Sequence, residues 1–526
     1  MDIKKTLSAL KAQKLYLMST KRDCYNFTMP LRGVGYNNYG QSFSQDSNVS
    51  TANAYKANKY DATATDASKI LASFIVSGIA PSNLQWFDFD VAQDPTIRNQ
   101  WLGDAASLIW REIHAGNFNS SLYECILDLV IGGEGILFQD LKKEGLHFEL
   151  WDTSQCYFAC SVKGGVVDSV YREYTLTPQQ AMVEFSQEGD MPLPDRVMQA
   201  SPDAKINFIH AIYPRVNGVY DGPAKNKPFA SCHILVDDGV EIRQSGYDEF
   251  PLAIPRWNVI PDSPYAFGPV YEALDDIKTL NETAKFILQN AEMAICGMYG
   301  AVDDGVMNTG SITVGPRKVF IMAERDNMWP MSSGGDFNIS EMMLQQQREQ
   351  VRRSMMVDQL QIPQQQGTTA TEINTRMQLL RQITGPVFGR LEEFLQALVF
   401  RSFGLLYRAG KLPQMPQELA DLKQLSIRYV SPLARSQRNS EVEVIESYEM
   451  SIGQTMAVDP SIGDVYNWTE GAREKARLRG VPERLMNSNS QIRKIQEGRQ
   501  QAQAQAQQEA VETEKEINES KKAPKE

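Results

Sequence analysis

The sequence predicts an α+β fold: a β-rich stretch from about residue 145 to 260, followed by a section built from three long helices. Two observations predict it. Short runs of β-branched and aromatic residues, bounded by Gly, Asp, Pro and Asn, recur between His147 and Ile260. From Val270 onward, Leu274, Ile277, Ala284, Leu288, Ala291 and Ile295 are spaced by three, four and seven residues, which is a helical stripe.

In chain order, residues 1 to about 30 read as a short basic helix, and Leu31 to Ala57, rich in Gly, Asn, Ser and Tyr, as an extended arm or long loop. Asp61 to Ile79 is helical, stopped by Pro81, and Trp86-Phe87-Asp88-Phe89 begins a short strand. Helices are expected over Thr96–His114 and Ser120–Val130. Gly132-Gly133-Glu134-Gly135 then precedes the apolar strand Ile136-Leu137-Phe138. This glycine cluster lacks the Gly-Lys-Ser/Thr ending of a phosphate loop and lies between helix and strand in the wrong order, so it reads as a tight turn. Strands follow at Phe148–Trp151, Val166–Tyr174, Ile206–Pro214, Cys232–Val236 and Leu252–Val259, interrupted by a helix at Pro178–Gln187.

The first long helix opens at Gly268-Pro269, a favoured place for proline, and would run about 43 Å to Cys296. Asn338-Ile339-Ser340-Glu341 is a capping box for a second helix, which should end before Ile362-Pro363. Gln364-Gln365-Gln366-Gly367-Thr368 is a polar loop, and Thr369-Ala370-Thr371-Glu372 caps a third helix that continues to Gly410. Gly385-Pro386 should kink that helix, because proline removes a backbone bond and clashes one turn back. Beyond it come a strand at Ile427–Val430 and helices at Asn439–Ala457 and Val465–Arg479. From Gln491 the composition collapses to Gln, Ala, Glu and Lys, as in a solvated helix or a disordered tail.

Composition bounds the function. With 526 residues, 42% hydrophobic and 22% charged, the chain is long enough for several cores. A net charge of −12 argues against a sequence-specific DNA binder, though not against a surface past which DNA slides. The longest apolar run, Ile70 to Ala80, is half a membrane span, and Met1-Asp2-Ile3-Lys4-Lys5 does not open a signal peptide. The expected site of synthesis is therefore the cytoplasm. Six scattered cysteines suit reduced thiols. Cys156 and Cys160 with Cys232-His233 can be drawn as a zinc site, but read better as core positions of a sheet. Asp275-Asp276 and Asp303-Asp304 read as solvated charge. No Walker motif, His-Glu-x-x-His, nucleophile elbow or Cys-x-x-Cys is present, so no catalytic residue, metal or cofactor is expected.

Several segments, in order, resemble the portal, or head-to-tail connector, proteins of short-tailed bacteriophages. They are Tyr60-Asp61-Ala62-Thr63-Ala64 with the helix ending at Pro81 and Trp86-Phe87; Asn117-Phe118 through Gly132-Gly133; Pro255-Arg256-Trp257; Tyr265-Ala266-Phe267-Gly268-Pro269; the helix from Thr371-Glu372 to Gly410; and Tyr429-Val430-Ser431-Pro432-Leu433-Ala434-Arg435. Ala266-Phe267 departs from the basic, glycine-rich turn of many relatives. The resemblance implies a virion ring, usually of twelve subunits, around a DNA channel. It would dock the terminase motor during packaging and tail adaptors afterwards, alongside capsid and scaffolding proteins.

It divides the chain into an N-terminal arm and wing (1–267), a first stem helix (268–297), a clip (298–337), a second stem helix (338–360) and a channel loop (361–369). A kinked wing helix with its return strand (370–438), a helical crown (439–490) and a tail (491–526) complete it. Gln364, Gln365, Gln366, Gly367, Thr368 and Thr369 would then press on DNA without reading bases. Arg348, Arg352 and Arg353 would either touch phosphates or pair with Glu349 and a neighbour's acids. Asp303, Asp304, Arg317, Lys318 and Trp329 would dock partners. Met342, Met343, Leu344, Val351, Met355 and Met356 fit either a seam between subunits or the inside of an ordinary hairpin. The rival readings are an enzyme with its site in 145–260, and another ring or scaffold component of a virion.

Overall fold

Ile3, Leu7, Leu10, Leu17 and Cys24 recur at helical spacing and form the buried stripe of helix α1 (Ile3–Thr28), whose first turn is capped by the Asp2 side chain. The structure is a computed structural model. It describes residues 2–37, 53–91, 100–162, 165–186, 190–296, 298–301, 328–331, 337–358, 370–414, 425–429, 432–456, 459–479 and 481, with single positions 492, 495 and 498. The remaining helices are α2 (Thr63–Ile79), α3 (Gln100–Ala115), α4 (Phe118–Gly132), α5 (Pro178–Glu184), α6 (Asp195–Met198), α7 (Pro269–Glu272), α8 (Leu274–Cys296), α9 (Phe337–Ser354), α10 (Ala370–Arg408), α11 (Pro432–Met456) and α12 (Trp468–Leu478). The strands are β1 (Phe87–Val91), β2 (Leu137–Lys142), β3 (Gly145–Leu150), β4 (Cys156–Ala159), β5 (Ser169–Leu176), β6 (Ile206–Pro214), β7 (Phe229–Leu235), β8 (Glu241–Tyr247), β9 (Leu252–Ala253), β10 (Asn258–Val259), β11 (Ala266–Phe267), β12 (Met298–Ala301), β13 (Met328–Met331) and β14 (Leu425–Tyr429). Helix and strand are mixed as expected for α+β.

The chain forms two compact units. The first comprises Met1–Leu84 and Ile109–Lys411. At its centre β4 to β8 make a five-stranded antiparallel meander in sequence order. Alternation along β6 sorts its faces: Ile209 and Ala211 meet Ile3, Leu7 and Leu10 of α1, whereas Phe208 packs on Ala181 and Phe185 around α5. Ile212, on the Phe208 face, joins Trp151, Phe158, Leu252 and Tyr265 in a third cluster. A smaller sheet, β3-β2-β9, adjoins the buried helix α4. Gly133 ends α4 at φ +90°, and a Cβ there would sit 2.5 Å from the Phe267 backbone. That is the close approach the glycine turn serves.

The buried stripe of α1 also holds Lys14 and Lys21, two of the residues that make this helix basic. Lys14 donates to the carbonyl oxygens of Thr153, Ser154 and Cys156, and burial, with the nearby Lys21 ammonium, lowers its pKa to about 8. Lys21 pairs with Glu134, both side chains 1% exposed, and the second Glu134 oxygen accepts the Ala266 N–H at 3.0 Å. The tight turn around Glu134 therefore anchors the helix. Tyr36, inside the stretch expected as an open arm, is buried in a short 3₁₀ turn and stacks on Tyr25.

Other boundaries differ from expectation. The first long helix is two: it breaks at Ala273, with α7 before and α8 after. The second stops at Ser354 rather than near 360. Strand β8 escapes sequence reading because only Ile242 and Tyr247 in it are large and apolar, as suits the edge of a sheet. Helix α11 begins at Pro432, seven residues before the predicted start. The second unit, Gln85–Leu108 with Leu412–Glu526, contains the antiparallel pair β1-β14 and the helices α11 and α12, tied by Lys475–Glu449 and Arg479–Glu446 ion pairs.

His210 and His233 face each other across β6 and β7, their rings stacked 3.9 Å apart. His210 shares a hydrogen bond with Ser231 Oγ at 2.9 Å and His233 Nδ1 one with the Tyr174 hydroxyl at 2.8 Å. Arg172 lies over Trp151 and Tyr174, and Arg243 over Phe185. The carboxylates in reach are engaged with those arginines: Glu149 with Arg172, Glu184 and Asp190 with Arg243. Burial first, and then neighbouring positive charge, hold His210 well below the usual imidazole range and His233 at about 3.

Two outcomes are expected. Lys21→Met strands the Glu134 carboxylate and should cost about 3–5 kcal/mol in urea unfolding, most of it restored by adding Glu134→Gln. The histidines stay neutral in the folded chain while the unfolded chain takes up protons below about pH 6.5. The histidine contribution should thus be flat above that pH and fall toward pH 3, by about 1.4 kcal/mol per pH unit for each histidine, while the lowered Lys14 pKa adds a separate rise in stability above about pH 8. His233→Gln should remove one histidine's share of that slope, measured as unfolding midpoints between pH 6 and 4.

Candidate assembly and channel surfaces

The helices α8 and α9 pack on each other, and β12 pairs antiparallel with β13 beyond their far ends. The two helices form a hairpin with two different halves. Near the base, Leu274, Ile277, Leu280 and Ala284 of α8 and Val351 of α9 are buried, as are Met355 and Val357 just past α9. Farther out, Phe286 is 62% exposed, Leu288 55%, Met342 65% and Met343 49%. The stripe that predicted the helix is therefore core up to Ala284 and uncovered at Leu288. Of the methionine group, Met355 belongs inside the subunit while Met342 and Met343 lie on its surface.

A short segment before α2 grips the base of both helices. The Tyr60 N–H donates to Asn281 Oδ1 at 2.8 Å, and Asn281 Nδ2 donates to the Asn58 carbonyl at 3.2 Å. Asp61, 4% exposed at its side chain, accepts the Thr63 N–H at 2.8 Å and pairs with Arg348 Nε at 2.9 Å. Burial alone would raise the Asp61 pKa, but the bonds from Thr63 and Arg348 outweigh it and hold the carboxyl below its ordinary value. Lys278 pairs with Asp23 of α1 at 2.7 Å, and the Ser354 hydroxyl donates to Asp276 at 3.2 Å. Asn281 was not singled out by sequence, although it fills the step of seven between Ile277 and Ala284 in the buried stripe of α8; its partners Asn58 and Tyr60 are visible only in three dimensions.

Arg348 thus has a partner within its own chain. Arg352 is half-buried and Arg353 exposed, both in the last turn of α9, where positive charge also complements the helix dipole. Trp329 lies in β13, in register with Gly300. Asp303, Asp304, Arg317, Lys318 and the loop Gln364–Thr369 lie outside the described residues. Gly385 and Pro386 both fall inside α10, whose helical course runs from Ala370 to Arg408. Toward its end Arg401, 3% exposed, donates to the Gln139 and Glu249 carbonyls, and Arg408 grips the Glu249 carboxylate through two bonds of 2.6 Å.

The β-rich region offers little reactive chemistry. Burial pushes the Cys156 thiol up to about 12 and Cys232 to about 11, so both are protonated at neutral pH. Cys156 and Cys232 are buried sheet residues, and among the described residues no group of three His, Cys, Asp or Glu is placed to hold a metal ion.

Residues 1–486 match the family model for the bacteriophage head to tail connecting protein. The portal protein of Salmonella phage epsilon15 is 25% identical over 363 residues, 66% of this chain and 65% of that protein, so the chain spans just under two thirds of this relative's length. The probable portal protein of Bordetella phage BPP-1 is 24% identical over 436 residues, 78% of this chain and 76% of that protein. Among solved structures, a chain from the "Neck of empty GTA particle computed with C6 symmetry" superposes with a TM-score of 0.34 at 11% identity, covering 72% of this chain and 84% of that one. Matched over most of its length, the chain belongs to the bacteriophage head to tail connecting protein family.

Proposed function

We propose that the chain is the subunit of a portal: a ring at one capsid vertex through which phage DNA is packaged and later ejected. The observation that carries this, beside the family match, is the uncovered apolar outer half of the α8–α9 hairpin. Each helix spends one side on its partner, and Phe286, Leu288, Met342 and Met343 remain. In a ring every subunit meets the next by the same two surfaces, which would cover these side chains. The hairpin is then the stem, the β12–β13 end the clip, the sheet with α1 and α10 the wing, and α11 and α12 the crown.

Twelve chains would carry about −144 of formal charge (12 × −12), so that the channel repels the DNA backbone and lets it slide. The uncharged loop Gln364–Thr369 would touch DNA without base readout, with Arg352 and Arg353 as the basic side chains left for phosphates once Arg348 is held by Asp61. The clip residues Asp303, Asp304, Arg317, Lys318 and Trp329 would meet the terminase motor and then the tail adaptors. The subunit would work as a structural conduit, with packaging energy supplied by a separate ATPase, in keeping with the lack of a Walker motif.

Mass measurement tests the reading: a ring of about 700 kDa (12 × 59.2 kDa) is expected, and a monomer with hydrolytic activity would overturn it. Phe286→Ser with Met342→Ser, both at exposed positions, should leave the chain folded within about 0.5 kcal/mol yet abolish rings in sedimentation; intact rings would remove the hairpin from the seam. Deleting Gln364–Thr369 should spare the ring and impair DNA packaging or retention, whereas loss of the ring would make that segment a structural joint.

A further inference from the structure

Helix α9 ends in an unusual way. The Met356 N–H donates to the Arg353 carbonyl at 2.9 Å and the Val357 N–H to the Arg352 carbonyl at 2.8 Å, the two bonds of a Schellman stop. That motif wants glycine at the residue where Met356 stands, because the backbone there is left-handed, and Met356 is held at φ +59°. Met355 still makes the ordinary helical bond, to the Val351 carbonyl at 3.0 Å.

Continuing the helix would exchange donors between the same two carbonyls. Met356 would move from Arg353 to Arg352, and Val357 from Arg352 to Arg353, with no hydrogen bond lost. Met356 would leave the left-handed region, while Val357, now 1% exposed, would lose its buried place. Strain at one residue is thus set against burial of its neighbour, and the nearest proline, Pro363, lies well beyond. Ile362-Pro363 is the first stop signal in the sequence, which is why the predicted end falls near 360.

We propose that α9 has two C-termini: the stop at Ser354, and a continuation through Asp358 that carries the chain about 6 Å farther along the axis before it leaves the hairpin. Met356 is the switch residue, and Val357 is the weight that holds the stop. Ser354 is helical in both forms, and the Met355 bond to the Val351 carbonyl belongs to both, so the base of the hairpin stays in place while the end changes. The inference stands on backbone geometry and is independent of the role proposed for the ring.

A metal bridge reads even a minor population of the longer helix. In the full-length protein, Ser354→His with Asp358→His places two imidazoles one turn apart only if the helix continues, so Ni(II) affinity scales with that fraction. Ni(II) titration should give tighter binding than either single substitution alone. Adding Met356→Gly relieves the strain of the stop and should weaken the bridge about tenfold. Adding Met356→Ala, which keeps the strain and favours helix, should not weaken it, and Val357→Ser should strengthen it. Affinity no better than the single substitutions, or equal effects of Met356→Gly and Met356→Ala, would overturn the proposal.

Discussion

The hairpin depends on Asp61. One buried carboxylate starts α2 by accepting the Thr63 N–H and holds α9 by pairing with Arg348, while the preceding Tyr60 N–H is taken by Asn281 of α8. Three helices meet at one segment, and while the Thr63 bond is local, those to Asn281 and Arg348 join residues more than two hundred positions apart. An exposed ion pair would contribute little, but here the carboxylate is out of water and every lost partner leaves it unsatisfied. The outer half of the hairpin can remain bare because its base is secured in this way. That division of one hairpin into a fixed root and an uncovered shaft links the fold of the subunit to its assembly.

The β-rich body follows a different rule. Its sheet is covered on one face by α1, and the covering helix brings two lysines into the interior with it. Lys14 is satisfied by three carbonyl oxygens and Lys21 by Glu134, so the charge is matched in place. The stacked histidines sit in the same sheet with Arg172 and Arg243 nearby, and Glu149, Glu184 and Asp190 pair with those arginines. Their geometry accounts for a packed, neutral pair better than for a catalytic one.

Much of this was legible in the sequence, and the reasons differ by element. Strand β6 was found to the residue because Ile206 to Pro214 is a run rich in β-branched and aromatic residues, most of it buried on both faces, with turn-forming residues at its bounds. The turn at Gly132–Gly135 was found because it lacks phosphate-loop chemistry. The short basic helix was found, but the burial of Lys14 and Lys21 within it was not foreseen, since their partners lie far along the chain. The end of α9 was missed for a related reason: local propensity continues past Ser354, and the burial of Val357 that stops it is a tertiary effect. Of the candidate site, the hairpin and its apolar stripe were visible, but Asn281 and the pairing of Arg348 with Asp61 required the folded chain. The resemblance to portal proteins rested on segments such as Tyr60-Asp61, which the structure explains as a clasp.

Helix α1 also has a consequence for the order of synthesis. Its partners lie far along the chain: Glu134 is 113 residues beyond Lys21, Cys156 is 142 beyond Lys14, and Asp237, whose carbonyl accepts from Lys4, is 233 beyond it. As the ribosome delivers the chain, this helix emerges well before its partners, the last of them 233 residues behind Lys4. During that interval its apolar stripe has nothing to cover, and the two lysines within it keep the stripe hydrated. The same ammonium groups become internal anchors only when Glu134 and the carbonyls of Thr153, Ser154 and Cys156 arrive, so the last step of covering the stripe exchanges their water for these partners.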